Sequence, residues 1–262
     1  MVNLLFTPTD WDHRFSQQAV WTQNLRHYIY NRIGFNQLNH IIEIGCGTGG
    51  VLADFKDGNK NIFGLDLSED FIHLAKQKIN NLHLSIGDAH ALPFEDSSFD
   101  LVLCHFFLLW VSEPVLVLQE MKRIARKNSP ILVLAEPDYS GRIDYPDDLK
   151  ILGSIQAESL IKQGADPYIG RTIGSLLHNA GIPLVEMGIM GGQWSPHQLN
   201  ELQDDEWHIL SYDLNYLKGK LDYSTYKQYD LEILKNIHKE TIRTGARVLF
   251  VPTYYAWGRA NK

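Results

Sequence analysis

The sequence predicts an α/β protein built on a parallel sheet. Apolar runs at 40–44, 61–66, 82–86, 100–105 and 130–136 read as strands, and helical patterns at 51–56, 68–79 and 114–126 lie between them. The first strand leads straight into a glycine run, IIEIGCGTGG from Ile41 to Gly50. Strands that are apolar on both sides of the pleat suit a sheet covered on both faces. Their alternation with helices implies βαβ units with right-handed crossovers.

Each element has a local signal. Phe15, Ala19, Thr22, Leu25, Ile29 and Ile33 recur at helical spacing after Asp10, read as a cap, and Gly34 ends that helix. Ser68 caps the helix over 68–79, with Glu69 and Asp70 in its positive first turn. The second half is less regular. Helices are predicted over 147–163 and 170–179, the latter closing at Gly181, followed by a strand over 183–190. Two helical stretches, 196–218 and 223–241, precede a last strand over 247–259, whose Pro252 suits a place near a sheet edge. No internal repeat or low-complexity segment is visible.

At 262 residues the chain suits one large α/β domain with insertions or two small ones, and 44% hydrophobic with 21% charged residues is ordinary for a globular protein. A formal charge of −7 argues against a surface that tracks phosphates, so no nucleic-acid partner is expected. Cys46 and Cys104 show no metal-ligand spacing and fit a reducing, cytoplasmic setting. No metal is expected. The first fifteen residues lack a signal-peptide pattern, and no run is long enough to span a membrane, so the reading is of a soluble protein.

The glycines admit two nucleotide classes. Gly45, Gly47 and Gly50 fit the dinucleotide spacing, and Gly45, Gly47 and Gly49 fit a tighter loop used for adenosylmethionine. Both expect an acidic residue about 20 positions on to bind ribose hydroxyls, a place that Asp66 fills. Glu43 inside the first strand, Gly87-Asp88-Ala89 after the third, and the run 91–102 into the fourth favour the second class. On EIGCGTG (Glu43–Gly49), LDLS (Leu65–Ser68), GDAHALPF (Gly87–Phe94) and FDLVLCHFFLLWV (Phe99–Val111), the chain resembles class I S-adenosylmethionine-dependent methyltransferases. Within them it is similar to the small-molecule branch containing ubiquinone/menaquinone methyltransferase-like proteins. The resemblance covers roughly residues 40–136.

That resemblance implies a Rossmann-like three-layer sandwich. Its seven-stranded, mostly parallel sheet would run 3-2-1-4-5-7-6 with strand 7 antiparallel, with cap helices added. The expected organisation is a helical lid over 1–35, a cofactor-binding core over 36–192 and 244–262, and a helical cap over 193–243 between strands 6 and 7. S-adenosyl-L-methionine is the implied cofactor. Gly45, Gly47 and Gly49 would back its methionine part, Asp66 would bind its ribose, Asp88 with Ala89 would border its adenine with Leu67 on the ring face, and His105 would sit beside it; Glu43, Cys46 and Gly87 complete the expected cofactor-binding residues. The family's usual Lys-Pro-Gly-Gly turn before strand five is replaced by Arg126-Lys127-Asn128-Ser129-Pro130, away from the site.

Methyl transfer from a sulfonium is an in-line displacement that needs positioning, exclusion of water and sometimes a base. Candidates at the carboxyl ends of strands four and five are His105, Glu136, Asp138 and Tyr139, of which His105, Asp138 and Tyr139 are carried as catalytic candidates. Arg142 in the acidic segment 135–148, with the aromatics Trp11, Phe15, Trp194 and Trp207, are candidates for binding a small apolar or aromatic acceptor. Two other readings stay open: a non-catalytic adenosylmethionine-binding protein, and an NAD(P)-dependent oxidoreductase. A base-methylating enzyme is opposed by the acidic balance and by His105-Phe106-Phe107-Leu108 where such enzymes carry an Asn/Asp-Pro-Pro-Tyr/Phe sequence.

Overall fold

In the computed structural model, which describes residues 7–55, 60–190, 207, 209–214 and 231–261, a capping box opens the first helix. Asp10 N donates to Thr7 Oγ1 at 3.2 Å, and Thr7 N donates to Asp10 Oδ2 at 2.8 Å. The cap is therefore Thr7, with Asp10 as its reciprocal partner one turn in. The single predicted N-terminal helix is two: α1 (Pro8–Trp21) and α2 (Gln23–Ile33). Thr22 makes the break. Its hydroxyl lies 2.8 Å from the Gln18 carbonyl oxygen and 3.3 Å from that of Ala19, a back-bond that bends helices. Gly34 ends α2 in the left-handed conformation, φ 70°.

The strands are β1 (His40–Ile44), β2 (Asn61–Asp66), β3 (His83–Ile86), β4 (Leu101–His105), β5 (Pro130–Pro137), β6 (Ile143–Tyr145), β7 (Leu184–Met190), β8 (Val248–Phe250) and β9 (Thr253–Arg259). Seven form one sheet in the order β3-β2-β1-β4-β5-β9-β7, with β9 antiparallel to both neighbours. This is the predicted order, β7 and β9 being the expected sixth and seventh strands. The last predicted strand is split. Its first part, β8, pairs with β6 in a separate ribbon, and Pro252, which has no N–H to give a ladder, lies between β8 and β9. The acidic segment 135–148, for which no strand beyond residue 136 is predicted, contains β6. The predicted helix over 51–56 is a 3₁₀ turn at Leu52–Phe55.

The remaining helices are α3 (Glu69–Lys78), α4 (Pro114–Ile124), α5 (Lys150–Lys162), α6 (Ile173–Asn179) and α7 (Leu231–Arg243). Ser68 caps α3 through Phe71 N. On one face of the sheet, Ile41, Leu101, Leu103, Leu132 and Leu134 pack with Leu25, Ile29 and Ile33 of α2. The alternate residues Ile42, Ile44, Val102, Ile131 and Val133 are buried too, which explains the near-continuous apolar strands. No helix among the described residues is long and apolar enough to cross a membrane.

The chain divides into two compact units. The larger, 7–137, 169–190 and 253–262, contains the seven-stranded sheet. The smaller takes 138–168 and 191–252 with the first six residues. Its described part has an apolar core of Leu149, Leu152, Trp207, Leu210 and Leu234 beside a buried ionic cluster. There Asp144 accepts from Arg142 Nε and Arg247 Nη2, both at 2.6 Å; Arg142 also donates to Gln156, and Arg247 Nε to His238 Nδ1 at 3.2 Å. Removing the carboxylate would leave two guanidinium groups buried without it. Asp144→Ala is expected to lower unfolding free energy by about 3–5 kcal/mol in a denaturant titration; a loss below about 1 kcal/mol would contradict the assignment.

Candidate cofactor and substrate pocket

Strand order reverses between β1 and β4, so the chain leaves those neighbours in opposite directions and opens a crevice beyond their carboxyl ends. The glycine run follows β1 there. Gly45, Gly47 and Gly49 have φ of 69°, 52° and 85°, a region that side-chain-bearing residues rarely adopt. Side chains fill the space above Gly45 and Gly47. A Cβ on Gly45 would collide with the Phe107 ring, and one on Gly47 would lie 2.9 Å from Phe15 Cδ2. The protein's own aromatic rings clasp the loop, and the pocket begins at those rings.

Asp66, at the end of β2, accepts from Gly47 N at 2.8 Å through Oδ2 and from Ser68 N at 2.9 Å through Oδ1. It ties the glycine loop to the second strand and keeps lone pairs for further donors. Burial raises its carboxyl above the ordinary value, against the pull of those amides. Asp88 makes a local turn: its Oδ1 accepts from His90 N at 2.9 Å and lies 2.7 Å from His90 Nδ1. The backbone amide, then the imidazole, holds the Asp88 carboxyl below the ordinary value. Leu67 is 73% exposed, an apolar side chain displayed at the pocket wall, whereas Ala89 is buried.

Beneath the loop, Glu43 is buried and its Oε2 has no hydrogen-bond partner. Burial pushes its carboxyl well up, and Arg26 pulls the other way. His105, buried at the end of β4, has Nε2 2.7 Å from Thr22 Oγ1. Arg26 Nη1 donates to the same hydroxyl at 2.5 Å, while Nε and Nη2 grip Asp54 at 2.6 and 3.1 Å. A chain running inward from Asp54 through the buried Arg26, Thr22 and His105 thus binds α2 and the α1/α2 break to the floor of the crevice. Burial depresses the His105 imidazole to about 3, so it is neutral near pH 7.

The turn after β4 is held from β5. Phe106 has φ 47°, a strained value for a bulky residue. Glu136, fully buried, accepts from Phe107 N, Leu108 N and Leu109 N at 3.0, 2.8 and 3.1 Å. A candidate at the end of strand five by sequence, it is the anchor that sets Phe107 over Gly45.

These elements enclose a cavity of about 400 Å³. Trp11 stacks on Phe15 with centroids 5.5 Å apart and meets Trp110 edge-on at 6.1 Å, while Phe15 meets Phe71 edge-on at 5.3 Å. Glu43, Asp66, Asp88 and His105 line the same cavity, as do Gly45, Cys46, Gly47, Leu67, Gly87 and Ala89. Cys46 and Cys104 are free and buried, with burial raising both thiols. The other candidates lie in the smaller unit. Asp138 is buried and accepts from Ser140 N and Oγ; Tyr139 N donates to the Pro167 carbonyl. Arg142 is engaged by Asp144 and Gln156, and Trp207 packs in that unit's apolar core against His238. Both side chains are thus engaged within that unit. Trp194 lies outside the described residues.

Thr22, Arg26, Phe107 and Trp110 were missed on sequence grounds. A signal existed for Arg26, which falls between Leu25 and Ile29 on the apolar stripe of α2 and so needs a buried partner.

Residues 42–133 match the family model described as a methyltransferase domain. A demethylmenaquinone methyltransferase of Staphylococcus haemolyticus is 33% identical over 126 residues, 46% of this chain and 51% of that protein. A sterol 4-C-methyltransferase of Caenorhabditis elegans is 25% identical over 154 residues, 56% of this chain and 45% of that one. The chain thus spans about half the length of the curated relatives it matches. Among solved structures, phosphoethanolamine N-methyltransferase 2 of Haemonchus contortus, bound to S-adenosyl-L-methionine, aligns with TM-score 0.54 and 16% identity over 92% of this chain and 53% of that one. The [4+2]-cyclase SpnF aligns with TM-score 0.53 and 15% identity over 85% and 75%, so the fold is shared by differently named activities.

The carboxyl of Glu136 is raised by burial to about 7, from an ordinary value of 4.5. A carboxyl raised on folding contributes stability that is complete below the lower value and lost as pH climbs through the upper one. Wild-type unfolding free energy is therefore expected to fall by roughly 2–3 kcal/mol more than that of Glu136→Gln between pH 4.5 and 7.5. Parallel pH profiles for the two proteins would contradict the assignment.

Proposed function

Taking residues 42–133 as a methyltransferase domain of the class I, S-adenosylmethionine-dependent kind, we propose that the protein transfers a methyl group from S-adenosylmethionine to a small-molecule acceptor. The observation that carries this reading is the glycine loop held by Asp66 where strand order reverses, with Glu43 buried beneath it and lacking a partner on Oε2. S-adenosylmethionine supplies a methyl group on a sulfonium, an electrophile that needs no protein nucleophile. The residues suit it. Asp66 has carboxylate lone pairs for ribose hydroxyls, Leu67 and Ala89 offer apolar surface to adenine, and Asp88 offers an acceptor to its amino group. Glu43 is an acidic side chain at the cavity, held toward its neutral form by burial, that the donor's positive charge would favour as the anion.

His105 acts in this reading as a positioning residue. A neutral imidazole depressed to about 3, already engaged by Thr22, is poorly suited to take a proton. Asp138 and Tyr139 remain candidates for a catalytic role. The aromatic walls support an apolar or aromatic acceptor, and two free, buried cysteines support a reducing, cytoplasmic setting. No observation favours a nicotinamide dinucleotide.

Two measurements test this. Calorimetry should find S-adenosylhomocysteine binding and no NADH binding, and Asp66→Ala should weaken the former by about 10–100-fold, as befits lost hydrogen bonds to a charged group. NADH binding, or unchanged S-adenosylhomocysteine affinity in the variant, would overturn the reading. In turnover assays with an acceptor found by screening, His105→Asn should leave the shape of the kcat pH profile intact between pH 6 and 9. Loss of an ascending limb in the variant would restore His105 as the base.

A further inference from the structure

The loop that leaves β3 has its backbone pinned on both sides of Asp88. Gly87 N donates to the Asp66 carbonyl at 3.0 Å, and Ala91 N to that of Asp88 at 3.1 Å. Farther on, Leu92 N donates to Glu120 of α4 at 2.9 Å, and Arg123 donates to the Leu92 and Phe94 carbonyls at 2.9 and 2.7 Å. The freedom that remains lies in the Asp88 side chain, 60% exposed at the cavity. A carboxylate so placed has two equivalent oxygens and can turn to whichever donor arrives. His90 removes that freedom. Its backbone N donates to Asp88 Oδ1 at 2.9 Å, and its Nδ1 lies 2.7 Å from the same oxygen. An ionised carboxylate only accepts, so Nδ1 carries the proton and Nε2 is left as an acceptor. Nε2 lies 3.4 Å from the hydroxyl oxygen of Ser112, past the turn that follows β4. The imidazole is half-buried and is itself part of the cavity lining.

The backbone bond from residue 90 survives loss of its side chain; the imidazole adds the second point that fixes the plane of the carboxylate. Both donations fall on Oδ1, which leaves Oδ2 as the oxygen offered to a ligand. We propose that His90 is a positioning residue for the nucleobase: it fixes which way Asp88 faces, and so makes the pocket select a purine with a 6-amino group over one with a 6-oxo group. This rests on the methyltransferase reading and deepens it. A 6-amino purine presents a donor to Oδ2. A 6-oxo purine presents an oxygen there and has its donor at N1 instead. A carboxylate free to turn can follow the donor to N1 and accept either base, whereas one held by His90 stays aimed at the amino group.

The test is calorimetry on the full chain with S-adenosylhomocysteine and S-inosylhomocysteine, which differ only along that edge of the base. The wild type is expected to bind the adenosyl compound about tenfold or more tightly than the inosyl one. His90→Ala is expected to shrink that ratio by about threefold or more, chiefly by gaining affinity for the inosyl compound. A role confined to loop stability would weaken both compounds alike and leave the ratio unmoved. His90→Asn, whose side-chain amide N–H lies where Nδ1–H does, should restore the ratio to within about twofold of the wild type. An unchanged ratio in His90→Ala, a ratio in His90→Asn as low as in the alanine variant, or a wild type without preference overturns the proposal. A wild type that binds neither compound overturns the methyltransferase reading and this inference with it, whereas binding without preference leaves that reading standing.

Discussion

The reversal of strand order between β1 and β4 is the constraint on which the rest of this molecule depends. Crossovers in a parallel sheet must run right-handed, so β1–β3 grow toward one edge and β4 onward toward the other. At the point of reversal the two turns diverge, leaving a gap that neither helix layer fills. Every feature of the candidate site is an answer to that gap. The glycine loop turns sharply at one side, the Phe106–Leu109 turn at the other, and α1 lies over both through Phe15 and Trp11.

Holding such turns open has a physical cost, and buried polar groups meet it. Glu136 collects three amides that would otherwise be unsatisfied at the start of a short helix. Asp66 does the same for the glycine loop, and Arg26 with Asp54 fixes the break between α1 and α2. These groups are expensive to bury singly and tolerable because each is matched. Glu43 Oε2, at the cavity, and Thr48 Oγ1, in the glycine loop, are among the buried atoms left without a partner, and an acidic oxygen left open beside a cavity supports the cationic donor proposed above.

Much of this was legible in the sequence. The strands of the sheet lie within a residue or two of their predicted bounds up to β7, because each is apolar on both faces and bounded by turn residues. The glycine spacing with Asp66 left two nucleotide classes open, and Glu43, Gly87-Asp88-Ala89 and the run 91–102 favoured S-adenosylmethionine. What failed did so for identifiable reasons. Helical periodicity runs through Thr22 without interruption, so the break, made by a side-chain back-bond, leaves no trace in the pattern. The stretch 247–259 is uniformly strand-like, and only the partner strand β6, hidden in a charged segment, divides it. Arg142 and Trp207 looked functional by residue type. Their partners, Asp144 and a cluster of leucines, come from tertiary contacts that local sequence does not encode.

The central claim is that one adenosine-bearing sulfonium donor is received where the strand order reverses. Amide hydrogen exchange on the full chain, with and without saturating S-adenosylhomocysteine, addresses it most directly. The account predicts slowed exchange concentrated in the glycine loop after β1, at Leu67–Ser68, and at Gly87–His90. Protection confined to other segments, or none at saturating ligand, would contradict it.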